Sequence, residues 1–198
     1  MHRVLTLAQH GHIVFADAEY LNGALHRNVR PARHDWKEVT QMSAVRCREG
    51  KIYRNLNIRV FPRVMGPDAK KMNHGAWQVY ERLTKIPKHE VLAAKVMYEE
   101  AWQHFREFIG KDPVVIMEGD RDVYKWNWKL LGQDRDTEID TIEWILLKPL
   151  LKSEHQIYHS KELSSLLNIG DDGTAQDALH NAASMARYCI NAHDIYNK

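Results

Sequence analysis

The segment HIVFADAEYL, residues 12–21, is rich in apolar, β-branched and aromatic residues and is interrupted by two acids. This composition is typical of a buried β-strand. Asp17 and Glu19 are two residues apart, so we expect both side chains on the same side of the sheet. Two carboxylates inside an apolar strand are costly unless a cation neutralises them, and such hard oxygen ligands suit Mg²⁺ or Mn²⁺. The alternative is that both acids lie at a strand end, in solvent.

The rest of the chain predicts further elements of a mixed sheet with helices packed on it. Apolar periodicity and turn residues predict the following elements: a hairpin over 39–62 that turns at Glu49-Gly50, a looser exposed stretch after it, one long helix between Pro87 and Gly110, a central strand over 113–117, helices over 122–131 and 139–152, a small helix over 160–170, and a last helix from Thr174. The segment 139–152 could also begin as a strand. Thr174 and Asp177 have the spacing of a capping box.

Size and composition set limits on the kind of protein. With 198 residues, of which 44% are hydrophobic and 27% charged, the chain suits a single α/β domain. The net charge of +2 is compatible with a polyanionic partner without requiring one. Cys47 and Cys189 are far apart and are expected as buried free thiols. No signal peptide or membrane-spanning run is found, so we expect a soluble, cytoplasmic protein with no membrane partner.

Two further features carry chemistry. The stretch MEGDRDVYKW places Asp120 and Asp122 where the central strand gives way to a helix. Active sites of open α/β sheets are built at such strand ends, although aspartate is also a preferred helix cap. His180 opens the amphipathic stretch HNAASMARYC, and a single histidine on a helix is more often structural than catalytic.

Taken in order, these motifs resemble the 3′–5′ exonucleases of the ribonuclease-H-like superfamily that use four acids and a histidine, the DEDDh group. FADAEY is similar to the first motif, and the hairpin is similar to the second and third strands. LTKIP with the following helix resembles the segment before the second motif, and VVIMEGDRDVYKWN resembles that motif. SKELSSLLNI and LHNAASMARYC resemble the end of the domain. The resemblance implies a ribonuclease-H-like α/β fold, with a mixed central sheet and helices on both faces, over one exonuclease-like domain spanning residues 1–198.

The resemblance also implies a mechanism. Asp17, Glu19 and Asp122 would hold a pair of Mg²⁺ or Mn²⁺ ions together with a fourth acid. His180 would be the general base that takes the proton of the attacking water. Ala18 and Tyr20 would seat the terminal nucleotide. The implied partner is a single-stranded nucleic acid or its 3′ end.

The match fails at one position. In the family an aspartate follows the histidine by five residues, and with His180 as that histidine the position holds Met185. A thioether is a poor substitute for a carboxylate on Mg²⁺. Asp177, Ser184 and Asp194 give no convincing replacement, whereas Asp120 could lend a carboxylate from the other wall of the site.

Three interpretations therefore stay open: an active metal-dependent exonuclease with a rearranged site, an inactive relative that binds nucleic acid or a protein partner, and an active protein with a local change at Met185. The sequence does not distinguish DNA from RNA as the substrate, and a homodimer or a protein partner stays open as a further expectation. Substrate contacts are less specific. Trp126, with Trp128, Lys125 and Lys129, could stack bases and meet phosphates, although a core role is equally consistent, and Arg30, Arg33 and His34 could form a basic loop.

Overall fold

The central feature of the molecule is a five-stranded mixed sheet. The computed structural model describes residues 2–22, 37–64, 74–111, 113–119, 121–150 and 177–196. The strands are β1 (His12–Asn22), β2 (Lys37–Arg48), β3 (Lys51–Arg59), β4 (Val114–Met117) and β5 (Glu143–Leu146), in the spatial order β3-β2-β1-β4-β5. β1 is antiparallel to β2 and parallel to β4, and β5 continues the parallel half.

Helices cover both faces of this sheet. They are α1 (His2–His10), α2 (His74–Thr84), α3 (Lys88–Ala93), α4 (Tyr98–Ile109), α5 (Asp122–Leu130), α6 (Asp136–Asp140) and α7 (Ala178–Tyr196). α1 and α7 pack on one face, and α4 and α5 pack on the other. The fold class predicted from the sequence, a mixed central sheet with helices on both faces, is confirmed.

β1 is buried on both sides, which explains its apolar composition. Val14 and Ala16 face α4 and α5, whereas Ile13 and Phe15 face α1 and α7. The α4–α5 side is an aromatic layer in which rings contact each other at centroid distances of 5.4–5.7 Å: Trp102 with Phe105 and Tyr124, Phe105 with Tyr124, and Tyr124 with Trp144. Such contacts add to the stabilisation that burial of the ring surfaces provides.

Several predicted elements are confirmed. β1 matches the predicted strand, β4 matches the predicted central strand, and α5 matches the first predicted helix after it. The hairpin turns at Glu49 and Gly50, whose φ angles are 51° and 68°. This left-handed conformation explains a glycine in the turn, because glycine adopts it without steric cost. Cys47 and Cys189 are both buried and free, as expected.

The prediction of a single long helix between Pro87 and Gly110 is wrong. The structure divides it into α3 and α4, and Ala94 between them is extended, with φ −59° and ψ 141°. Val96 forms a parallel bridge with Val60, and the Phe61 N–H donates to the Val96 carbonyl at 2.8 Å. A long-range backbone pairing therefore overrides a continuous helical pattern, which a periodicity argument does not detect.

Two other regions differ from expectation. Residues 139–152 were expected as a helix, but β5 lies there and pairs in parallel with β4 from Glu143 onward; the alternative of a strand start is the one observed. The stretch expected to be exposed after the hairpin contains α2, whose Trp77 and Tyr80 are buried against Leu21. α1 was not predicted.

Some predictions lie outside the described residues. These are the helix over 160–170, Thr174, Asp120, and the basic loop of Arg30, Arg33 and His34. None of the described helices is long and apolar enough to cross a membrane.

We predict that Asn127→Leu destabilises the fold by about 1–3 kcal/mol. Asn127 is 1% exposed, and its Oδ1 accepts the Val39 N–H at 2.7 Å, which ties α5 to β2. Leucine would leave that buried β2 donor without an acceptor. Urea denaturation measures the effect, with Gln103→Leu on the exposed side of α4 as the control. Equal losses from both variants would contradict the importance of this hydrogen bond.

Candidate functional site

The two acids of β1 lie where the strand outruns its parallel neighbour. β1 pairs with β4 only at Val14 and Phe15, so Asp17 and Glu19 project past the paired part of β4. They continue the side of the strand that carries Ile13 and Phe15, toward α7. In an open sheet, the carboxyl ends of parallel strands are where a cleft forms.

A cavity of about 260 Å³ occupies this position. Its described lining comes from β1, the end of β4 and the turn after it, the start of α5, the segment after β5, and α7: Asp17, Ala18, Glu19, Tyr20, Met117, Glu118, Gly119, Val123, Lys148 and Asn181. The cavity therefore combines several acids with one lysine among its described lining residues, on walls that come from both halves of the sheet.

Burial dominates the electrostatics of the two β1 carboxyls. Burial raises the pKa of Asp17 from 3.8 to about 7, with further increases from the negative charges of Glu118 and Asp177. Burial likewise raises the pKa of Glu19 from 4.5 to about 9, and Asp17 and Asp177 add to the shift. Arg59 acts in the opposite direction on Glu19. The site is therefore short of positive charge.

α7 meets this pair through an amide. Asn181 Nδ2 donates a hydrogen bond to Asp17 Oδ2 at 2.9 Å, and this bond partly offsets the effect of burial on the pKa of Asp17. Asn181 is the described α7 residue that lines the cavity.

Gln41 of β2 holds the start of α7 against the sheet. Its side chain is fully buried. Gln41 Oε1 accepts the Ala178 N–H at 3.0 Å, and Nε2 donates to Asn57 Oδ1 at 2.7 Å and to Asp177 Oδ2 at 3.3 Å. Arg59 Nη2 lies 3.8 Å from the same Asp177 oxygen. This network fixes which α7 residues face β1.

Asp177 has a different role from the one predicted. The interpretation from sequence placed it inside a helix that begins at Thr174. The structure begins α7 at Ala178, and Asp177 Oδ1 accepts the His180 N–H at 2.9 Å, so Asp177 itself is the N-cap.

Of the predicted site residues, the structure brings together Asp17, Ala18, Glu19 and Tyr20. Asp122 is the first residue of α5, and its neighbour Val123 lines the cavity, whereas Asp122 is not among the described lining residues. Trp126 is partly buried on α5 with the Lys129 Nζ 5.2 Å from its ring centre, and it does not line the cavity either.

His180 and Met185 are not placed as the sequence suggested. His180 lines a separate groove of about 760 Å³ between the β2–β3 hairpin and α7. Met185 is 1% exposed and packs in the apolar layer between α1, α7 and the sheet. Two displacements along the helix explain this. Because Asn181 faces Asp17, His180 points about 100° away from Asp17, whereas Met185 lies on nearly the same face as Asn181 but one turn later, about 6 Å further along the axis. Neither His180 nor Met185 therefore belongs to the described lining of the cavity beside Asp17 and Glu19, where α7 is represented by Asn181.

Sequence reasoning missed four residues of the site: Gln41, Glu118, Lys148 and Asn181. One signal was available for the α7 register. Ala182, Met185, Ala186 and Cys189 form a continuous apolar stripe, which indicates that Met185 belongs to the core. No comparable pattern marks Lys148, because it enters the cavity only through the packing of the segment after β5.

The donor set fits one hard cation. Asp17 and Glu19 offer carboxylate oxygens in a cavity whose described lining has more acids than basic groups, and Mg²⁺ or Mn²⁺ prefers such oxygen ligands. Within the described residues, no group of three Asp, Glu, His or Cys side chains is arranged to hold a metal. The pair therefore suits an ion that keeps several waters, and the described part of the chain does not assemble the two-ion set that the resemblance implies.

Comparison with known proteins gives the fold a precedent. No protein family and no curated protein matches the chain by sequence. Among solved structures, a full-length 3′-exonuclease is similar with a TM-score of 0.73 and 12% identity, over 95% of this chain and 84% of that one. The nuclease domain of 3′hExo, a DEDDh family member bound to rAMP, is similar with a TM-score of 0.69 and 13% identity, over 93% of this chain and 92% of that one.

A third structure extends the similarity. The Mg²⁺- and Mn²⁺-bound form of Pop2p from S. pombe gives a TM-score of 0.67 and 12% identity, over 99% of this chain and 88% of that one. At these identities the likeness establishes the fold alone, and that fold is the ribonuclease-H-like fold of the 3′-exonucleases and the Pop2 domain.

We predict that Glu19→Gln stabilises the metal-free protein at pH 8 by about 1–2 kcal/mol. The unfolded chain releases the Glu19 proton near pH 4.5, whereas the folded protein retains it up to about pH 9. Between these values unfolding releases a proton, so the free energy of unfolding falls as pH rises, and glutamine removes that loss. Denaturation in EDTA from pH 4 to pH 9 measures the free energy of unfolding of both proteins. The values for Glu19→Gln and for the unmodified protein should become equal toward pH 4. Glu107→Gln, on an exposed part of α4, is the control, and a difference that does not depend on pH would contradict the prediction.

We predict that Met185→Asp destabilises the protein by at least about 3 kcal/mol. The substitution buries an unpaired carboxyl in the apolar layer under α1. Ser184→Asp adds the same charge to the same helix at a partly exposed position, so it should cost far less in thermal or urea denaturation. A well-folded Met185→Asp protein as stable as Ser184→Asp would return Met185 to the candidate site.

Proposed function

We propose that this protein binds the 3′ end of a single-stranded nucleic acid in the cavity beside Asp17 and Glu19 and hydrolyses its terminal phosphodiester with a divalent cation. The observation that carries the proposal is the pair of partly buried carboxylates, two residues apart on β1, in the lining of a cavity that also contains Lys148. A site that gathers negative charge in this way is suited to a cation and, through it, to a phosphate.

The similar structures support the proposal. One of them is bound to rAMP, and another is a Mg²⁺- and Mn²⁺-bound form, so the same fold accommodates a nucleotide and divalent cations in related architectures. The low identities leave the substrate of this chain to be tested with both DNA and RNA.

Five of the ten described lining residues have a role in the proposal. Asp17 and Glu19 would hold the cation, and the bound cation would supply a Lewis acid for the phosphate and for the attacking water. Lys148 lines the same cavity and compensates the charge of the phosphate. Tyr20 offers a partly buried ring that can stack on the terminal base, with the backbone of Ala18 beside it.

A second function is favoured by a specific observation. The described cavity lining contains no histidine, and the α7 residue that meets Asp17 is a neutral asparagine. These features favour a protein that binds a 3′ end without cutting it. The same experiment distinguishes the two functions.

We predict that the protein shortens a 5′-labelled single strand from its 3′ end in Mn²⁺ and that EDTA stops the reaction. The double variant Asp17→Asn/Glu19→Gln should lose at least about 100-fold in rate, because it removes both carboxylates that hold the cation. A matched pair of DNA and RNA strands identifies the sugar preference. Product length on a denaturing gel is the measurement.

Glu107→Gln, far from the cavity on the exposed side of α4, should retain the rate of the unmodified protein. Strand binding without shortening, weakened by Lys148→Ala, would support the second function. Shortening that survives the double variant, or the absence of both binding and shortening, would refute the proposed site.

A further inference from the structure

The hydrogen bond between α7 and β1 uses a ligand atom of the candidate cation site. Asn181 Nδ2 lies 2.9 Å from Asp17 Oδ2, and both residues line the cavity. Because both residues line the same cavity, a metal ion there would approach the oxygen that already accepts the amide N–H, and the two would compete for its electron density.

The amide cannot withdraw by a simple shift of the helix. Within one turn of Asn181, the Ala178 N–H is held by Gln41, and Asp177 is held by both Gln41 and Arg59. Gln41 is itself fully buried and tied to Asn57 of β3. The backbone of α7 therefore presents residue 181 to Asp17 as a fixed feature of the fold.

The chemistry of the side chain sets the consequence. Asparagine adds no negative charge, so it contributes nothing to the attraction of a divalent ion at long range. Its N–H stabilises the carboxylate of Asp17 in the absence of a cation and must be displaced, or the amide turned, when a cation takes Oδ2. Among the described residues, Asn181 is the α7 side chain in a position to act in this way.

We propose that Asn181 is a positioning residue that competes with a divalent cation for Asp17 and thereby sets a low cation affinity for this site. The inference rests on the proposed function, since it assumes that Asp17 and Glu19 hold the cation. It goes further by assigning the control of occupancy to one neutral side chain and by predicting that removal of the amide tightens cation binding.

The test measures Mn²⁺ binding to the full chain without nucleic acid, from the signal of free Mn²⁺ in electron paramagnetic resonance. Asn181→Ala removes the competing donor and should tighten Mn²⁺ binding. Asn181→Asp also adds a third carboxylate and should tighten it more, by about tenfold or more. Asn191→Asp makes the same change at an exposed position of α7 that lies about 15 Å further along the helix axis, so it should leave the dissociation constant within about twofold of the unmodified protein.

Thermal denaturation gives a second readout. Without metal, Asn181→Asp should melt below the unmodified protein, because it places a further carboxylate beside Asp17 in place of a hydrogen-bond donor. Mn²⁺ should raise the melting temperature of this variant more than that of the unmodified protein. If Asn181→Asp does not fold, the comparison of Asn181→Ala with the unmodified protein decides the question alone.

The outcomes separate this inference from the proposed function. Tighter Mn²⁺ binding by both variants supports the inference, whether or not any of the proteins shortens a strand. Weaker binding by Asn181→Ala would show that the amide oxygen is itself a ligand and would overturn it. Unchanged binding in both variants, or no binding in any protein, would also overturn it, even if strand shortening were observed.

Discussion

The partial burial of two carboxylates on the central strand is the constraint on which the rest of the structure depends. β1 is paired with β2 along its whole length and packed on both faces, which holds Asp17 and Glu19 in place beyond the end of the pairing with β4. Burial disfavours their charged forms, as the raised pKa values of both groups show. The fold tolerates this because it places an amide beside one acid and a guanidinium near the other.

The contact between β2 and the start of α7 determines which α7 side chain lies beside the two carboxylates. Gln41 satisfies its buried amide with three partners on two elements, and in doing so it fixes the rotation of α7 about its own axis. A rotation of one residue would bring His180 toward β1 in place of Asn181. The identity of the side chain that faces Asp17 thus depends on hydrogen bonds made one turn earlier, by Asp177 and Ala178.

The parts of the fold that were predicted correctly are those with a strong local signal. Apolar runs bounded by turn residues mark β1, the hairpin and β4. Apolar residues at helical spacing directly after the central strand mark α5. The errors occur where distant backbone decides the structure. The pairing of Val96 with Val60 interrupts a segment that was expected to be one helix. Parallel pairing with β4 makes a strand, β5, of a segment that was expected to be mainly helical. Pairing between distant segments does not change the spacing of apolar residues within either segment, so a local pattern does not reveal it.

The sequence by itself determined the fold class and the shared orientation of Asp17 and Glu19, because alternation along a strand is a local geometric rule. It also indicated a candidate cation site at this pair of acids. Only the tertiary structure decided that Asn181 meets those acids, that Met185 belongs to the core, and that His180 lies in another groove. The reason is that the rotation of α7 is set by its contact with Gln41, 137 residues away along the chain, and no spacing within the helix encodes that contact.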